Sequence, residues 1–275
     1  MRLRYILCIL NSITIGVSAV ALLLWRSSWP FVAAFAAFTL AVDVYFLANR
    51  RMFRLLERED WPALCVWLEQ RVFVQGRYTI RFTRLLANTY LTLADSVAVR
   101  ELEQKTALAS PSLIEENALV FGVARLLSKD ITDATTFFSA RLDAAVRVPS
   151  TARKRTLNTS SWLRWYYGFS LLLDRQYPRA SEQFIILINE ISPVPLITGL
   201  SAFLLVDTLS KALVERKAEL LTVAESGRRQ TRKRLPSIRH WNKAVSEARS
   251  EIHVVILLPR LQEAGAWLYT ASGIR

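Results

Sequence analysis

The chain has 275 residues, 52% of them hydrophobic, a mean hydropathy of +0.22 and a net charge of +13 at pH 7. This composition excludes a disordered chain, and two cysteines, eight glycines and nine prolines exclude disulfide-rich and collagen-like scaffolds. The basic surplus predicts attraction to anionic lipid, nucleic acid or an acidic partner, without choosing among them.

Two apolar runs near the start predict a transmembrane hairpin. Tyr5 to Trp25 has no charged residue over 21 positions, and Phe31 to Ala48 is interrupted only by Asp43. At about 1.5 Å per residue, a helix of this length crosses a hydrocarbon core of about 30 Å. We therefore expect spans at about residues 5–25 and 31–48, which make residues 1–49 a membrane anchor.

Arginines beside the two runs predict their orientation. Arg2 and Arg4 precede the first run, Arg26 lies alone in the turn, and Arg50, Arg51, Arg54 and Arg58 follow the second run. Because Lys and Arg concentrate on the cytoplasmic side of membrane proteins, both termini and the rest of the chain are expected in the cytoplasm. A cleaved signal peptide is the alternative for the first run, since such peptides also begin with basic residues.

From residue 50 onward, apolar residues at helical spacing predict an all-α region with repeated turns. Between the candidate turns the intervals are 35, 35, 44 and 33 residues, and the turns lie at Asp60, Asp95, Asp130, Asp174 and Asp207. An alanine follows each turn, at Ala63, Ala98, Ala134, Ala180 and Ala212. A small residue at these positions lets two helices approach closely.

Two of these units share more than their spacing. Gly122, Ala134 and Phe138 repeat with identical offsets as Gly168, Ala180 and Phe184. In these residues the chain resembles a tetratricopeptide repeat (TPR), most closely over about residues 110–192. The resemblance implies a TPR-like α-solenoid of about five helix pairs over residues 50–227, since roughly three or more repeats are needed to bury a continuous core. Residues 228–275 are expected to form a basic loop and a C-terminal helical pair packed on the solenoid, although Ile252 to Leu258 leaves a strand open.

Two basic clusters are candidate contacts for anionic lipid or an acidic partner. They comprise Arg153, Lys154 and Arg155 in one insertion, and Arg228, Arg229, Arg232, Lys233 and Arg234 in a second break. Each basic residue near an anionic leaflet contributes about 1 kcal/mol of attraction, and solvated loops are the alternative. No nucleic-acid-binding motif accompanies the clusters, so we expect no nucleic-acid partner.

Aromatic side chains on one helix face are candidate partner contacts. Trp162, Trp165 and Phe169 recur at helical spacing, and the TPR resemblance implies that they line the inner groove, where they would bind a partner's peptide or helix. Core packing is the alternative for such a stripe.

Motifs for catalysis, nucleotide binding and metal binding are missing from the sequence. Two histidines and two distant cysteines give no zinc spacing, and no Walker A, dinucleotide-binding or serine-nucleophile signature occurs. We therefore expect no catalytic residues, no metal site, no cofactor and no enzymatic activity.

The joint pattern predicts a membrane-anchored adaptor or scaffold that recruits a protein partner at the cytoplasmic face. The layout is similar to that of bacterial inner-membrane TPR proteins, which implies an inner-membrane location and membership of a membrane complex. The alternative is an accessory subunit of a transport or export complex, in which the hairpin is the working part. Replacing the hairpin with an unrelated anchor separates the two, because only the adaptor is expected to keep its function.

Overall fold

The described part of the protein is helical. The computed structural model describes residues 29–146, 153–190 and 192–270, and no strand occurs among them, which confirms the all-α prediction for these residues. The helices, in chain order, are α1 (Trp29–Ala48), α2 (Arg50–Glu57), α3 (Trp61–Glu69), α4 (Ile80–Thr92), α5 (Ser96–Ala109), α6 (Ser112–Glu116), α7 (Ala118–Leu127), α8 (Ile131–Val146), α9 (Arg153–Leu173), α10 (Tyr177–Asn189), α11 (Pro195–Leu204), α12 (Ser210–Ala212), α13 (Lys217–Arg234), α14 (Ile238–Ala248), α15 (Ile252–Ile256) and α16 (Leu258–Tyr269).

The chain divides into two compact units, Met1–Trp67 and Leu68–Arg275. This division differs from the predicted domains 1–49, 50–227 and 228–275. Helix α2 belongs to the first unit, where only Asn49 separates it from α1. Helix α13 runs continuously through residue 228, so the chain has no break there.

Helix α1 contains the second predicted span, whereas the first predicted span, residues 5–25, lies outside the described residues. Phe38, Leu40, Val44 and Leu47 are each more than half exposed. At about 100° per residue these side chains, with the exposed Ala37 and Ala41 between them, cover about half of the helix circumference. An exposed apolar face of this extent is the opposite of the pattern on a core helix.

Four of the five predicted turns are confirmed, and they share one backbone geometry. Each turn contains one residue with a positive φ between 55° and 62°: Glu59, Ala94, Lys129 and Arg175. In the first three turns this residue directly precedes the predicted aspartate, and in the fourth it directly follows Asp174. In the second turn the Asp95 amide donates to the Tyr90 carbonyl (2.9 Å) and the Ala94 amide to the Leu91 carbonyl (3.1 Å), which is a Schellman motif. The Asp95 carboxylate then accepts from the Ala98 amide (2.9 Å) and caps the next helix.

The fifth predicted turn, at Asp207, is wrong. Asp207 lies in a π-helical turn, Leu205–Leu209, that continues α11 into α12, and the helix ends only before Leu213. Leu205 and Leu209 in this turn are fully buried, so packing against the core holds the segment helical.

Two successive helix pairs share one contact, in which a glycine of the first helix faces a phenylalanine of the second helix. A Cβ atom at Gly122 would lie 2.3 Å from the Phe138 ring, and one at Gly168 would lie 3.1 Å from the Phe184 ring. Phe138, Phe184 and the alanines four residues before them are fully buried. The repeated glycine, alanine and phenylalanine thus mark close helix packing.

Substitution of Gly122 by alanine tests this packing. We expect Gly122→Ala to lower the free energy of unfolding by about 1–2 kcal/mol, because overpacking outweighs the gain of about 1 kcal/mol in helix propensity. Gly168→Ala is the matched control and should change stability little, since its nearest contact is 3.1 Å. Urea unfolding of the full chain in detergent measures both. Equal stability of Gly122→Ala and the wild type would contradict the described position of Phe138.

An arginine links three helices of the second unit. Arg125 on α7 forms ion pairs with Glu103 on α5 (2.7 Å) and Asp133 on α8 (2.8 Å). Its guanidinium also lies 4.1 Å from the centre of the Phe137 ring. The Arg125 and Glu103 side chains are each only 13% exposed, so these contacts connect neighbouring helix pairs in the interior of the unit.

The C-terminal helices complete the core of the second unit. Helix α11 packs against α13 and α16, and its Ile197 and Leu200 are fully buried. Among the described residues, one helical stretch, Pro195–Ala212, has the length and apolar composition to cross a membrane, and 67% of it is buried inside the protein. That degree of burial is typical of a core helix.

Two C-terminal predictions change. The basic loop predicted at the start of residues 228–275 is wrong, because α13 remains helical to Arg234. The C-terminal region has three helices rather than a pair, since the chain turns between Arg249 and Glu251 before α15. The open choice at residues 252–258 is settled as helix over Ile252–Ile256.

Candidate interaction surfaces

The aromatic stripe of α9 lies mainly in the core of the second unit. Trp165 is fully buried, Trp162 is 8% exposed, and only Phe169 is half-buried. The Trp165 ring stacks on Phe169 at 5.1 Å and lies 6.2 Å from Phe184 on α10. The stripe therefore joins two helices, as the core-packing alternative predicts.

The C-terminal segment covers one end of this stripe. The His253 ring on α15 lies 4.8 Å from the Trp162 ring, and the Tyr166 hydroxyl donates to the His253 carbonyl (3.0 Å). Helix α15 also packs on α7. The assignment of Trp162 and Trp165 to an open partner-binding groove is thus corrected, because their side chains contact the protein's own helices.

A polar cleft lies on a different part of the second unit. Its volume is about 420 Å³, within the range of small-molecule sites. One stripe of α8 forms a wall, with Thr132, Thr136, Ser139 and Asp143 at intervals of four, three and four residues. The other wall comprises Tyr167 on α9, Asp174 and Gln176 in the turn, and Arg179 on α10.

Hydrogen bonds hold the polar groups of this cleft in place. Arg179 donates to the Tyr167 hydroxyl (2.8 Å) and to the Gln176 side-chain oxygen (2.5 Å). The Thr136 hydroxyl donates to the Thr132 carbonyl (3.0 Å), so its oxygen keeps lone pairs for a ligand. With one cation, two carboxylates and several hydroxyls, the cleft suits a polar partner that both donates and accepts hydrogen bonds.

Sequence reasoning missed this cleft although part of its signal was present. The polar stripe on α8 follows helical spacing and is visible in the sequence. Tyr167 and Arg179 come from a different helix pair, so only the packing of α8 against α9 brings the two walls together.

Two arginines of the predicted lipid-contact cluster have structural roles. Arg228 is buried and donates to the carbonyls of Leu268 (3.1 Å) and Thr270 (2.8 Å) at the end of α16. Arg234 donates to the carbonyls of Ser192 (2.6 Å) and Pro193 (2.5 Å), and partial burial lowers its pKa. Both satisfy backbone carbonyls that helix ends and turns leave without partners. The assignment of Arg228 to lipid contact is corrected, because its side chain is buried, whereas Arg234 remains exposed.

The other residues of the predicted basic clusters are placed differently. Arg229, Arg232 and Lys233 are exposed on α13, and the Arg232 guanidinium lies 5.8 Å from the centre of the Tyr269 ring. Arg153, Lys154 and Arg155 begin α9, and their side chains lie outside the described residues.

Helix α2 places a further basic group beside the apolar helix α1. Arg50, Arg51 and Arg54 are exposed and fall within about 100° of arc. On the other side of α2 lie Met52, Phe53, Leu55 and Leu56, of which Met52 is fully buried. In the sequence these arginines served only to predict the orientation of the membrane hairpin. The structure places them together on one face of α2.

Acidic and thiol groups form no metal centre in the described part of the chain. No group of three or more His, Cys, Asp or Glu side chains there could hold a metal ion, and the Cys65 side chain is buried. Asp43 is half-buried on α1.

Comparison with known proteins relates the second unit to a family. A family model described as "Uncharacterised Treponema protein" matches residues 98–270, from within α5 to the end of α16. A Treponema pallidum (strain Nichols) protein, described as an uncharacterized protein, is 28% identical over 250 residues, which cover 89% of this chain and 76% of that protein. No solved structure matches the chain. Because the family model covers more than half of the sequence, the chain belongs to this family of Treponema proteins.

Proposed function

We propose that the protein is a membrane-anchored scaffold whose TPR-like helix pairs recruit a protein partner at the cytoplasmic membrane face. The observation that carries the proposal is the recurrence of one turn geometry and one glycine-to-phenylalanine contact in successive helix pairs. Repeats of this kind build extended surfaces from similar units, and such surfaces serve mainly in binding. The similarity to TPR units in Gly122, Ala134 and Phe138 supports the same conclusion.

The membrane anchor is supported by α1. Its exposed face bears Phe38, Leu40, Val44 and Leu47 without a charged side chain, and large exposed apolar faces of this kind are typical of contact with lipid or protein. The apolar part of α1 that the structure describes in full is shorter, Ala37–Ala48, and the proposed span is the whole apolar run of residues 31–48, which covers about 27 Å at about 1.5 Å per residue. The proposal therefore includes integral insertion in an inner membrane with the second unit in the cytoplasm, and the arginines of α2 support this orientation.

The polar cleft between α8 and α9–α10 is the proposed partner surface. It replaces the aromatic groove, because Trp162 and Trp165 are buried whereas Thr132, Thr136 and Arg179 are exposed. Its fixed arginine, carboxylates and hydroxyls suit a polar segment of another protein, since exposed polar groups confer orientation and specificity.

Site-specific photocrosslinking in the native cell tests this surface. With benzoylphenylalanine in place of Thr136, we expect a discrete adduct with one partner protein. Thr222 on α13 is the matched control, because it is also an exposed threonine whose hydroxyl donates to a carbonyl four residues earlier (2.9 Å, to Ala218). The same adducts from both positions, or none from position 136, would refute the cleft as the recruiting surface.

A further inference from the structure

The first turns of α2 lie directly beside the apolar helix α1. Asn49 is the only residue between the two helices, and its side chain donates to the Tyr45 carbonyl (2.8 Å) within the preceding turn. Arg50 and Arg51 therefore follow the apolar segment immediately, and Arg54 lies one helical turn further on. At about 1.5 Å per residue, Arg54 is about 9 Å beyond Ala48.

Basic residues dominate the first turns of α2. Arg50, Arg51 and Arg54 come first, the one acidic residue of the helix, Glu57, is its last residue, and Arg58 and Glu59 follow the helix. All three arginines are exposed, and within the described residues none of them forms an ion pair. Their charge is consequently available to an external anion at the N-terminal end of α2, which follows the apolar helix in the chain.

Aromatic rings cluster at the same junction. Tyr45 and Phe46 at the end of α1 contact Phe53 on α2, with ring centres 6.3 and 5.1 Å apart. Aromatic side chains, above all Tyr and Trp, concentrate where the hydrocarbon core meets the headgroups. The polar headgroup layer is about 5–7 Å thick on each side, and an arginine side chain extends several more ångströms toward it. All three arginines are thus within reach of that layer.

We propose that Arg50, Arg51 and Arg54 form a binding site for the headgroups of anionic phospholipids such as phosphatidylglycerol. The proposal rests on the membrane anchor of the proposed function and adds the ligand class. It also moves the lipid contact from the predicted clusters on α9 and α13 to the junction of α1 and α2. Guanidinium groups suit this ligand because they bind phosphate oxygens through two parallel hydrogen bonds.

Native mass spectrometry of the full chain in detergent, titrated with phosphatidylglycerol or phosphatidylcholine, tests the site. We expect tighter binding of phosphatidylglycerol, and a loss of at least about tenfold in its binding constant for Arg50→Gln/Arg51→Gln/Arg54→Gln. The control Arg229→Gln/Arg232→Gln/Lys233→Gln removes the same charge from exposed positions on α13 and should change binding less than about twofold. Arg50→Lys/Arg51→Lys/Arg54→Lys should retain the preference for the anionic lipid.

Equal losses in the two glutamine variants, no loss in the α2 variant, or equal binding of both lipids would overturn the site. Alkaline carbonate extraction of cell membranes tests the anchor separately. Release of the wild-type chain into the supernatant would refute the anchor whatever the lipid titration shows. Retention in the pellet with unchanged binding by the α2 variant would refute only the headgroup site.

Discussion

Trp165→Ala is expected to lower the free energy of unfolding by about 3–5 kcal/mol. The Trp165 side chain is fully buried and lies against Phe169, Tyr166 and Phe184, so truncation leaves a large cavity between α9 and α10. Loss of a buried tryptophan costs both the transfer free energy of its ring and the contacts around the cavity. Urea unfolding of the full chain in detergent, followed by circular dichroism, measures the change.

Phe169→Ala is the control on the same stripe. Phe169 is only half-buried, so its truncation should cost clearly less than that of Trp165. If the stripe were an open groove, Trp162→Ala and Trp165→Ala would each change stability by less than about 0.5 kcal/mol, as surface substitutions usually do. That outcome would restore the groove as a candidate partner site.

Acidification is expected to destabilise the protein through His253. Burial among aromatic rings lowers the pKa of His253 from 6.5 to about 4, and the positive charge of Arg84 adds to this shift. Between these two values the unfolded imidazole binds a proton that the folded one does not bind. The stabilisation is therefore complete above pH 6.5 and is lost as the pH falls toward 4, by about 3 kcal/mol in all.

Two histidine variants separate this effect from the titration of carboxylates. Unfolding is measured at pH 7.5 and 4.5 for the wild type, His253→Gln and His240→Gln. The wild type should lose about 2–3 kcal/mol more than His253→Gln between the two pH values, because glutamine does not titrate. His240 is exposed, so His240→Gln should follow the wild type. Parallel losses in the wild type and His253→Gln would show that α15 does not bury the imidazole as described.

The burial of the aromatic stripe on α9 leaves Trp162 out of reach of a partner protein. His253 and Tyr166 join α15 to α9 through a ring contact of 5.7 Å and a hydrogen bond of 3.0 Å. A partner would have to displace this segment to reach Trp162, whereas the polar cleft between α8 and α9–α10 is open. Because its polar side chains are exposed, the cleft is the better candidate surface for photocrosslinking.

Local sequence signals predicted the repeated turns well. Asp60, Asp95 and Asp130 each accept from a backbone amide three residues later, as N-caps do, so their type and spacing reveal the helix starts. Gly122 likewise reveals close packing, since a Cβ atom at this position would lie only 2.3 Å from the Phe138 ring. The prediction failed at Asp207, where burial of Leu205 and Leu209 outweighs the local turn signal.

Basic residues show where sequence reasoning reaches its limit. The runs around Arg228 and Arg234 look like solvated charge, but Arg228 bonds to carbonyls 40 and 42 residues away along the chain. The local sequence around Arg228 gives no sign of partners so far away along the chain. The structure instead leaves Arg50, Arg51 and Arg54 exposed beside α1, a position that the sequence had linked only with orientation.

The sequence by itself determined the helical class, the first four turns and the glycine-containing helix pairs, because these depend on capping, helical periodicity and side-chain size among near neighbours. Tertiary structure alone decided that Trp162 and Trp165 are core, that Arg228 and Arg234 bind backbone carbonyls, and that Thr136 faces Arg179 across a cleft. These outcomes depend on which helices pack together over long separations in the chain, and the burial that results sets both the accessibility of a side chain and the cost of its charge.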